Sequence, residues 1–187
     1  LSYLQKKFFL AGTYGVQLFY IVSAFTLLIS LYRRSEKNYF NFYLRRIFRI
    51  VPIFYLGIIV HTHIFNLEPT NLKNILLNLL FLNNLIPPSN DLILGGTTIA
   101  TEMNFYLILP LMFLYINSYK KSLIFLIFSI FLLFILNKFF GHFYPDHTFG
   151  NANFYRTIFV QIFVFLLGFI TFFINYKFLV LKESENK

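Results

Sequence analysis

Cysteine and tryptophan are absent from this sequence, and charged residues are scarce. Without cysteine the chain has neither disulfides nor thiolate metal ligands, and the absence does not indicate a compartment. Without tryptophan, tyrosine alone would supply an aromatic belt at a membrane surface. Only 12% of the residues are charged, whereas 58% are hydrophobic. A soluble domain of 187 residues cannot bury so much apolar surface, so the composition predicts an integral membrane protein.

The net charge of +9 does not indicate a nucleic-acid partner. The basic residues lie at the ends of apolar runs, and no polar domain is present to carry a binding face for a phosphate backbone. Orientation in a membrane explains the same residues better, because lysine and arginine concentrate beside the ends of membrane spans. The predicted partner is therefore the lipid bilayer, and no nucleic acid is expected.

Five apolar runs are long enough to cross a hydrocarbon core of roughly 30 Å. They cover about 15–32, 47–67, 99–117, 123–140 and 158–176. A sixth run, 72–86, is shorter and rich in asparagine, which favours a re-entrant or interfacial helix. The predicted fold is an all-α, polytopic helical bundle with about five spans plus this short helix. Residues 1–187 are expected to form a single membrane domain that ends in a polar tail, 177–187.

The distribution of the 16 lysines and arginines predicts the orientation of the chain. If 72–86 does not cross, most of them lie on one side of the membrane, whereas crossing would divide them evenly. The positive-inside rule therefore favours the non-crossing arrangement, which places the segment around 45–49 in the cytoplasm and the start of the chain outside. Because residues 1–13 contain neither a signal peptide nor a span, this orientation predicts a further helix upstream.

Three arginines interrupt an apolar, aromatic segment: Arg45, Arg46 and Arg49. On a helix they are three and four positions apart, so they share one side. Guanidinium groups offer planar, bidentate donors that suit phosphate or carboxylate. The segment is therefore either an anion-binding patch or a positively charged anchor that only orients the flanking helices.

Glu102 is the one acidic residue, of seven, that falls within a predicted span. A carboxylate in a span costs on the order of 2–3 kcal/mol unless it faces a cavity or a partner, so a functional role is predicted. The alternative is that Glu102 only lies at the water interface. Tyr106 follows four positions later and is expected to share the Glu102 face, whereas Asn104 points elsewhere.

Four segments, taken in order, resemble the membrane-bound acyltransferase family 3, the sugar O-acyltransferases. Residues 15–25, GVQLFYIVSAF, are similar to the family's GVDLFFVLSGF segment, and 42–52, FYLRRIFRIVP, to its RRxxRIxP element. Residues 97–110 resemble the WSLSxExxFYLLLP element, and 156–168 resemble a weaker R…FLLG segment. Together they extend over most of this sequence, and their charged groups are in register with those of the family.

The resemblance implies an O-acyltransferase of the bacterial cytoplasmic (inner) membrane. Such an enzyme moves an acyl group, usually acetyl from cytoplasmic acetyl-CoA, to a hydroxyl of an envelope sugar such as lipopolysaccharide or exopolysaccharide. Acetyl-CoA is then a cosubstrate, and no bound cofactor or metal is expected. By resemblance, Arg45, Arg46 and Arg49 bind the acyl donor on the cytoplasmic side, and Glu102 is the catalytic acidic residue near the outer membrane face. The acceptor-site candidates are Ser23, Asn104 and Tyr106.

The family's catalytic histidine lies in the helix before the GVDLFF segment, and this sequence does not include that helix. The sequence alone is therefore expected to be inactive unless the helix is supplied, for example by another chain. Two other functions stay open. One is a non-catalytic remnant or partner subunit. The other is a transporter or flippase fragment, in which Glu102 marks a substrate or proton path and the arginines bind a lipid head group.

Overall fold

The computed structural model describes residues 3–34, 39–65, 71–85, 91–143 and 157–185. Within these ranges the chain forms 6 helices and no strand, which confirms the all-α prediction. The helices are α1 (Tyr3–Arg34), α2 (Tyr39–Phe65), α3 (Leu72–Leu79), α4 (Gly96–Tyr115), α5 (Tyr119–Phe143) and α6 (Ile158–Glu185).

Four helices in the described part of the chain are long and apolar enough to cross a membrane. The spans are Tyr14–Arg33, Gly96–Tyr115, Tyr119–Phe139 and Ile158–Tyr176. Each coincides within a few residues with one of the predicted runs, because the length of an uninterrupted apolar run sets the length of a span. The fifth predicted run, 47–67, lies in α2 as far as Phe65 but is not one of the four. The chain is a multi-pass membrane protein.

The segment predicted not to cross forms a helix that is too short to cross. Helix α3 has 8 residues, which is about 12 Å of helix and less than half of a hydrocarbon core. It begins after Asn71, whose side chain accepts a hydrogen bond from the Lys73 backbone N–H at 3.1 Å. Beyond Leu79 the chain turns at Phe81, which has a φ of 58°, a conformation rare for a bulky residue.

Several helices extend further than the apolar runs, α1 and α6 most of all. Helix α1 begins at Tyr3, well before residue 15, and α6 continues to Glu185 through most of the segment that was predicted to be a polar tail. The reason is that lysine, leucine and glutamate are good helix formers, so a change to polar residues ends a span without ending the helix. Residues 186 and 187 lie outside the described ranges.

Contacts within the chain fall into two compact units, and whether they act as one membrane domain stays a prediction. The first unit contains α1, the end of α4, the first part of α5 and α6 from residue 162. There the ring of Tyr20 lies 4.7 Å from that of Phe165, measured between centroids. Gly168 of α6 faces Ala24 and the Ile21 carbonyl of α1, with no room for a side chain between the helices.

The second unit contains α2, α3, α4 up to residue 112, the last part of α5 and the start of α6. Its core is formed by Phe54, Ile58, Phe81, Leu92 and Ala100, so the turn after α3 packs between α2 and α4. The Phe54 and Phe81 ring centroids are 4.8 Å apart, and the Tyr55 hydroxyl donates to the Leu79 carbonyl at 2.8 Å. These contacts hold the short helix against α2.

Candidate functional site

Arg46 lies between two aromatic rings of the second unit. Its guanidinium carbon is 5.5 Å from the ring centroid of Phe42, one turn earlier on α2, and 5.6 Å from that of Tyr106 on α4. Both rings are buried, and Arg46 is half-buried. Cation–π contacts of this kind position a guanidinium while leaving its N–H groups available for hydrogen bonds.

The Nε atom of Arg46 is buried and has no hydrogen-bond acceptor among the residues that the structure describes. An unpartnered buried donor typically costs about 1–3 kcal/mol, and more when it is charged. A phosphate or carboxylate oxygen supplied by a ligand would remove that cost, because a guanidinium binds such oxygens through two parallel N–H groups. Arg46 therefore has the surroundings of a residue that binds an anion.

The two neighbouring arginines are placed differently. Arg45 and Arg49 are exposed, and they flank Arg46 in sequence on the same helix. The predicted patch is therefore one half-buried guanidinium with two exposed ones beside it. An exposed pair of charges contributes less than a buried one, because water screens it. Arg46 is the arginine whose position the fold fixes most closely.

Glu102 and Tyr106 are hydrogen-bonded to each other along α4. The Tyr106 hydroxyl donates to the Glu102 Oε1 atom, which agrees with the prediction that the two residues share one face of the helix. Glu102 is half-buried, whereas Tyr106 is buried. Tyr106 thus contacts Arg46 with its ring face and Glu102 with its hydroxyl.

This arrangement corrects the expectation that the arginines and Glu102 lie near opposite membrane faces. A single tyrosine side chain separates the Arg46 guanidinium from the Glu102 carboxylate. The reason is the register of α2 against α4: the Tyr43 hydroxyl donates to the Leu107 carbonyl at 3.0 Å, which brings the first turns of α2 beside the middle of α4. The cation and the carboxylate therefore belong to one site.

Asn104 is on another face of α4, as predicted, and its amide group is used within the protein. Its Nδ2 atom donates to the Phe81 carbonyl at 2.7 Å and to Asn84 Oδ1 at 2.8 Å. Asn84 in turn donates to the Thr101 hydroxyl at 2.9 Å. The unusual backbone conformation of Phe81 is held by these bonds. Asn104 thus fixes the turn after α3 against α4 and does not line the face that carries Glu102.

A second set of polar contacts continues this network toward the start of α4. The Asn78 side chain accepts from the Leu92 N–H at 3.2 Å, Asn83 donates to Asp91 at 3.0 Å, and the Thr97 hydroxyl donates to the same Asp91 oxygen. Polar groups buried in this way stabilise a fold when they are hydrogen-bonded and destabilise it when they are not. The amide groups of Asn78, Asn83 and Asn84 are therefore bonded within the protein, although the buried Asn83 Oδ1 has no donor among the described residues.

Replacing Asn104 by leucine should lower stability, because the Phe81 carbonyl and Asn84 Oδ1 would lose their donor in a buried place. Each orphaned acceptor is expected to cost about 1–3 kcal/mol. The midpoint of thermal unfolding in detergent measures the effect. Asn41, exposed on α2, provides the matched control, and Asn41→Leu should stay within about 0.5 kcal/mol of wild type. Equal midpoints for the two variants would contradict the assigned role.

Ser23 belongs to the first unit, where it lies half-buried on α1 and its carbonyl accepts from the Thr26 hydroxyl at 3.1 Å. Its proposed acceptor role stays a prediction. The structure brings together Arg46, Tyr106 and Glu102. Sequence reasoning missed Phe42, although its position four residues before Arg46 on one helix would have indicated the contact. Arg156, the first residue of the last family segment, lies outside the described ranges.

A family model for an acyltransferase domain, acyltransferase family 3, matches residues 2–179. The matched region includes the arginine segment of α2 and the whole of α4. No curated protein and no solved structure matches the chain. Because the family model extends over nearly the entire sequence, the chain belongs to acyltransferase family 3, and its membrane spans agree with a membrane acyltransferase.

Proposed function

We propose that this protein is an O-acyltransferase of a bacterial inner membrane that moves an acetyl group from cytoplasmic acetyl-CoA to a hydroxyl of a cell-envelope sugar. The observation that carries the proposal is the half-buried Arg46 guanidinium, whose Nε lacks an acceptor among the described residues and whose ring neighbour, Tyr106, is bonded to Glu102. Family membership supports acyl transfer.

The arginine patch suits the donor. Coenzyme A carries several phosphate groups, and arginine is the side chain best suited to bind phosphate through paired N–H groups. Arg46 would bind one phosphate in a partly desolvated place, and the exposed Arg45 and Arg49 would attract the remaining negative charge. The positive-inside distribution of the sequence supports a cytoplasmic location of this patch, where acetyl-CoA is present.

Glu102 suits the acceptor. In acyl transfer the hydroxyl oxygen of the sugar attacks the thioester carbonyl carbon, a C–O bond forms, the C–S bond breaks, and the hydroxyl proton ends on the coenzyme A sulfur. A carboxylate offers about four lone-pair positions, so it can accept from more than one donor, such as Tyr106 and the acceptor hydroxyl. Glu102 would orient that hydroxyl, accept its proton as the ester forms, and then give the proton to the departing coenzyme A sulfur.

Tyr106 would connect Arg46, which binds the donor, with Glu102, which binds the acceptor. Its ring holds the Arg46 guanidinium and its hydroxyl holds the Glu102 carboxylate, so both groups keep one relative position. Acyl transfer requires the reacting atoms to approach within about 3–3.5 Å, and prior positioning of this kind supplies much of the rate enhancement. The proposal therefore needs both charges in one site, which the contacts of Tyr106 support.

The experiment follows labelled acetyl groups in membranes that contain the chain together with any segment its gene encodes upstream. With acetyl-labelled acetyl-CoA, the wild type should transfer label to the envelope polysaccharide fraction. Glu102→Gln keeps the size of the side chain but removes the proton acceptor, and should lower transfer by about 100-fold or more, the range of general acid–base effects. Binding of acetyl-CoA should be retained. Transfer by Glu102→Gln at the wild-type rate, or no transfer by wild type, would refute the proposal.

A further inference from the structure

A cavity of about 480 Å³ lies within the first unit, away from the residues assigned above. Its walls come from α1, α6 and the connection between α4 and α5. Most of the lining side chains are aromatic: Tyr32, Phe113, Tyr119, Phe172, Phe173 and Tyr176. Its size falls within the range of small-molecule binding sites, and its walls are mainly apolar, as such sites usually are. Nothing in the proposed acyl transfer uses it.

The cavity lies at the level where four membrane spans end. The spans of α1, α4 and α6 finish at Arg33, Tyr115 and Tyr176, and the span of α5 begins at Tyr119. Because span ends mark the surface of the hydrocarbon core, the cavity is at one membrane–water interface. Its tyrosines fit this level, since tyrosine is enriched where an apolar ring can stay in lipid and a hydroxyl can reach polar groups. The Tyr32 and Tyr176 hydroxyls are 3.2 Å apart.

Three basic residues stand next to cavity-lining residues in the sequence. Arg33 follows the lining residue Tyr32, and Lys120 and Lys121 follow the lining residue Tyr119, all three being exposed. The segments 14–34, 113–132 and 162–182 of this unit contain no acidic residue, and Glu183 and Glu185 follow in the last turn of α6. Asn117 and Ser118 add polar groups to the cavity wall. We take these three basic residues as the rim of the cavity, and such a rim would be complementary to an anion.

Exposed apolar side chains lie beside the cavity. The lining residue Leu114 is 56% exposed, and α5 presents exposed Ile124, Ile127 and Phe128 on the turns that follow Tyr119. In a multi-pass membrane protein such side chains face lipid. A ligand for this cavity therefore needs an apolar chain that can enter from the hydrocarbon and an anionic group that remains at the basic rim.

We propose that the cavity binds an anionic phospholipid. One acyl chain would lie among the aromatic rings, and the phosphate would bind at Lys120 and Lys121, assisted by the polar groups of Asn117 and Ser118. Basic pockets between helices at the cytoplasmic membrane surface are typical sites for anionic head groups. This inference does not depend on acyl transfer, because it rests on residues of the first unit that the proposed reaction does not involve.

The experiment compares an anionic and a zwitterionic lipid. The full chain, purified in a neutral detergent, is titrated with phosphatidylglycerol or phosphatidylcholine of the same chain length, and bound lipid is counted by native mass spectrometry. Phosphatidylglycerol should bind with one tight site and raise the midpoint of thermal unfolding, as a ligand of the folded state must. Lys120→Ala/Lys121→Ala should weaken phosphatidylglycerol binding roughly 30-fold, because each lysine near an anionic lipid contributes about 1 kcal/mol to the binding free energy.

The matched control is Lys73→Ala/Lys138→Ala, which removes two exposed lysines elsewhere and should bind phosphatidylglycerol as wild type does. The single variants Lys120→Ala and Lys121→Ala, each expected to weaken binding about fivefold, replace the double variant if that one does not fold. Equal affinity of the wild type for the two lipids would overturn the proposal. So would a control variant that loses as much affinity for phosphatidylglycerol as Lys120→Ala/Lys121→Ala does. Displacement of bound phosphatidylglycerol by coenzyme A would also overturn it, by assigning the cavity to a nucleotide.

Discussion

Replacing Arg46 by alanine should lower kcat/KM for the acyl donor by roughly 10- to 100-fold, mainly by raising KM. Hydrogen bonds to charged groups contribute about 1.5–3 kcal/mol, and each 1.4 kcal/mol is a factor of ten. Arg46 is the arginine with a buried N–H that lacks an acceptor among the described residues, so its loss removes a contact that water cannot replace well. Transfer rates over a range of acetyl-CoA concentrations give both constants.

Three comparisons separate this explanation from a general loss of charge. Arg46→Lys keeps the charge but loses the planar pair of donors and the ring contacts. Its kcat/KM for the acyl donor should therefore lie between those of wild type and Arg46→Ala. Lys73→Ala, an exposed lysine on α3, should leave KM unchanged. Tyr106→Phe keeps the ring beside the guanidinium and removes the hydroxyl that donates to Glu102, so it should lower kcat more than it raises KM. An unchanged KM in Arg46→Ala would exclude Arg46 from donor binding.

Gly168→Ala should destabilise the protein, although alanine is the better helix former. A Cβ atom at Gly168 would lie 2.6 Å from the Ala24 Cβ and 2.7 Å from the Ile21 carbonyl oxygen, distances that require α1 and α6 to move apart. Overpacking of this kind typically costs about 1–3 kcal/mol. Helix propensity acts in the opposite direction by up to about 1 kcal/mol, so the sign of the change tests the contact. Thermal unfolding in detergent measures it.

Two further variants test the assignment of this cost to the α1–α6 contact. A Cβ atom at Gly15 would have no other atom within 4 Å, so Gly15→Ala should leave stability unchanged or raise it slightly. Adding Ala24→Gly to Gly168→Ala removes one of the two close contacts and should restore part of the lost stability. Because the two sites are in contact, their effects should not add. If Gly168→Ala unfolded at the same temperature as Gly15→Ala, the close approach of the two helices would be refuted.

The membrane class, the four spans and the short helix were all predictable from the sequence. Apolar runs are local features, and their length and composition separate Ile158–Tyr176, which is long and apolar enough to cross, from the 8 residues of α3, which are too short. The bond between Tyr106 and Glu102 was equally predictable, since residues four apart on a helix share a face whatever else surrounds them. The four family segments could also be recognised in the sequence, because their charged residues are rare among the apolar residues around them.

Tertiary structure decided which of the predicted site residues meet. Arg45, Arg46 and Arg49 are alike in sequence, but only Arg46 lies between Phe42 and Tyr106, because the register of α2 against α4 selects it. Asn104 reaches Phe81 and Asn84, which are 23 and 20 residues away, through a turn whose path no local pattern specifies. Periodicity fixes the face of a helix on which a residue lies. The partner on the neighbouring helix depends on side-chain packing, which forms only when the helices come together.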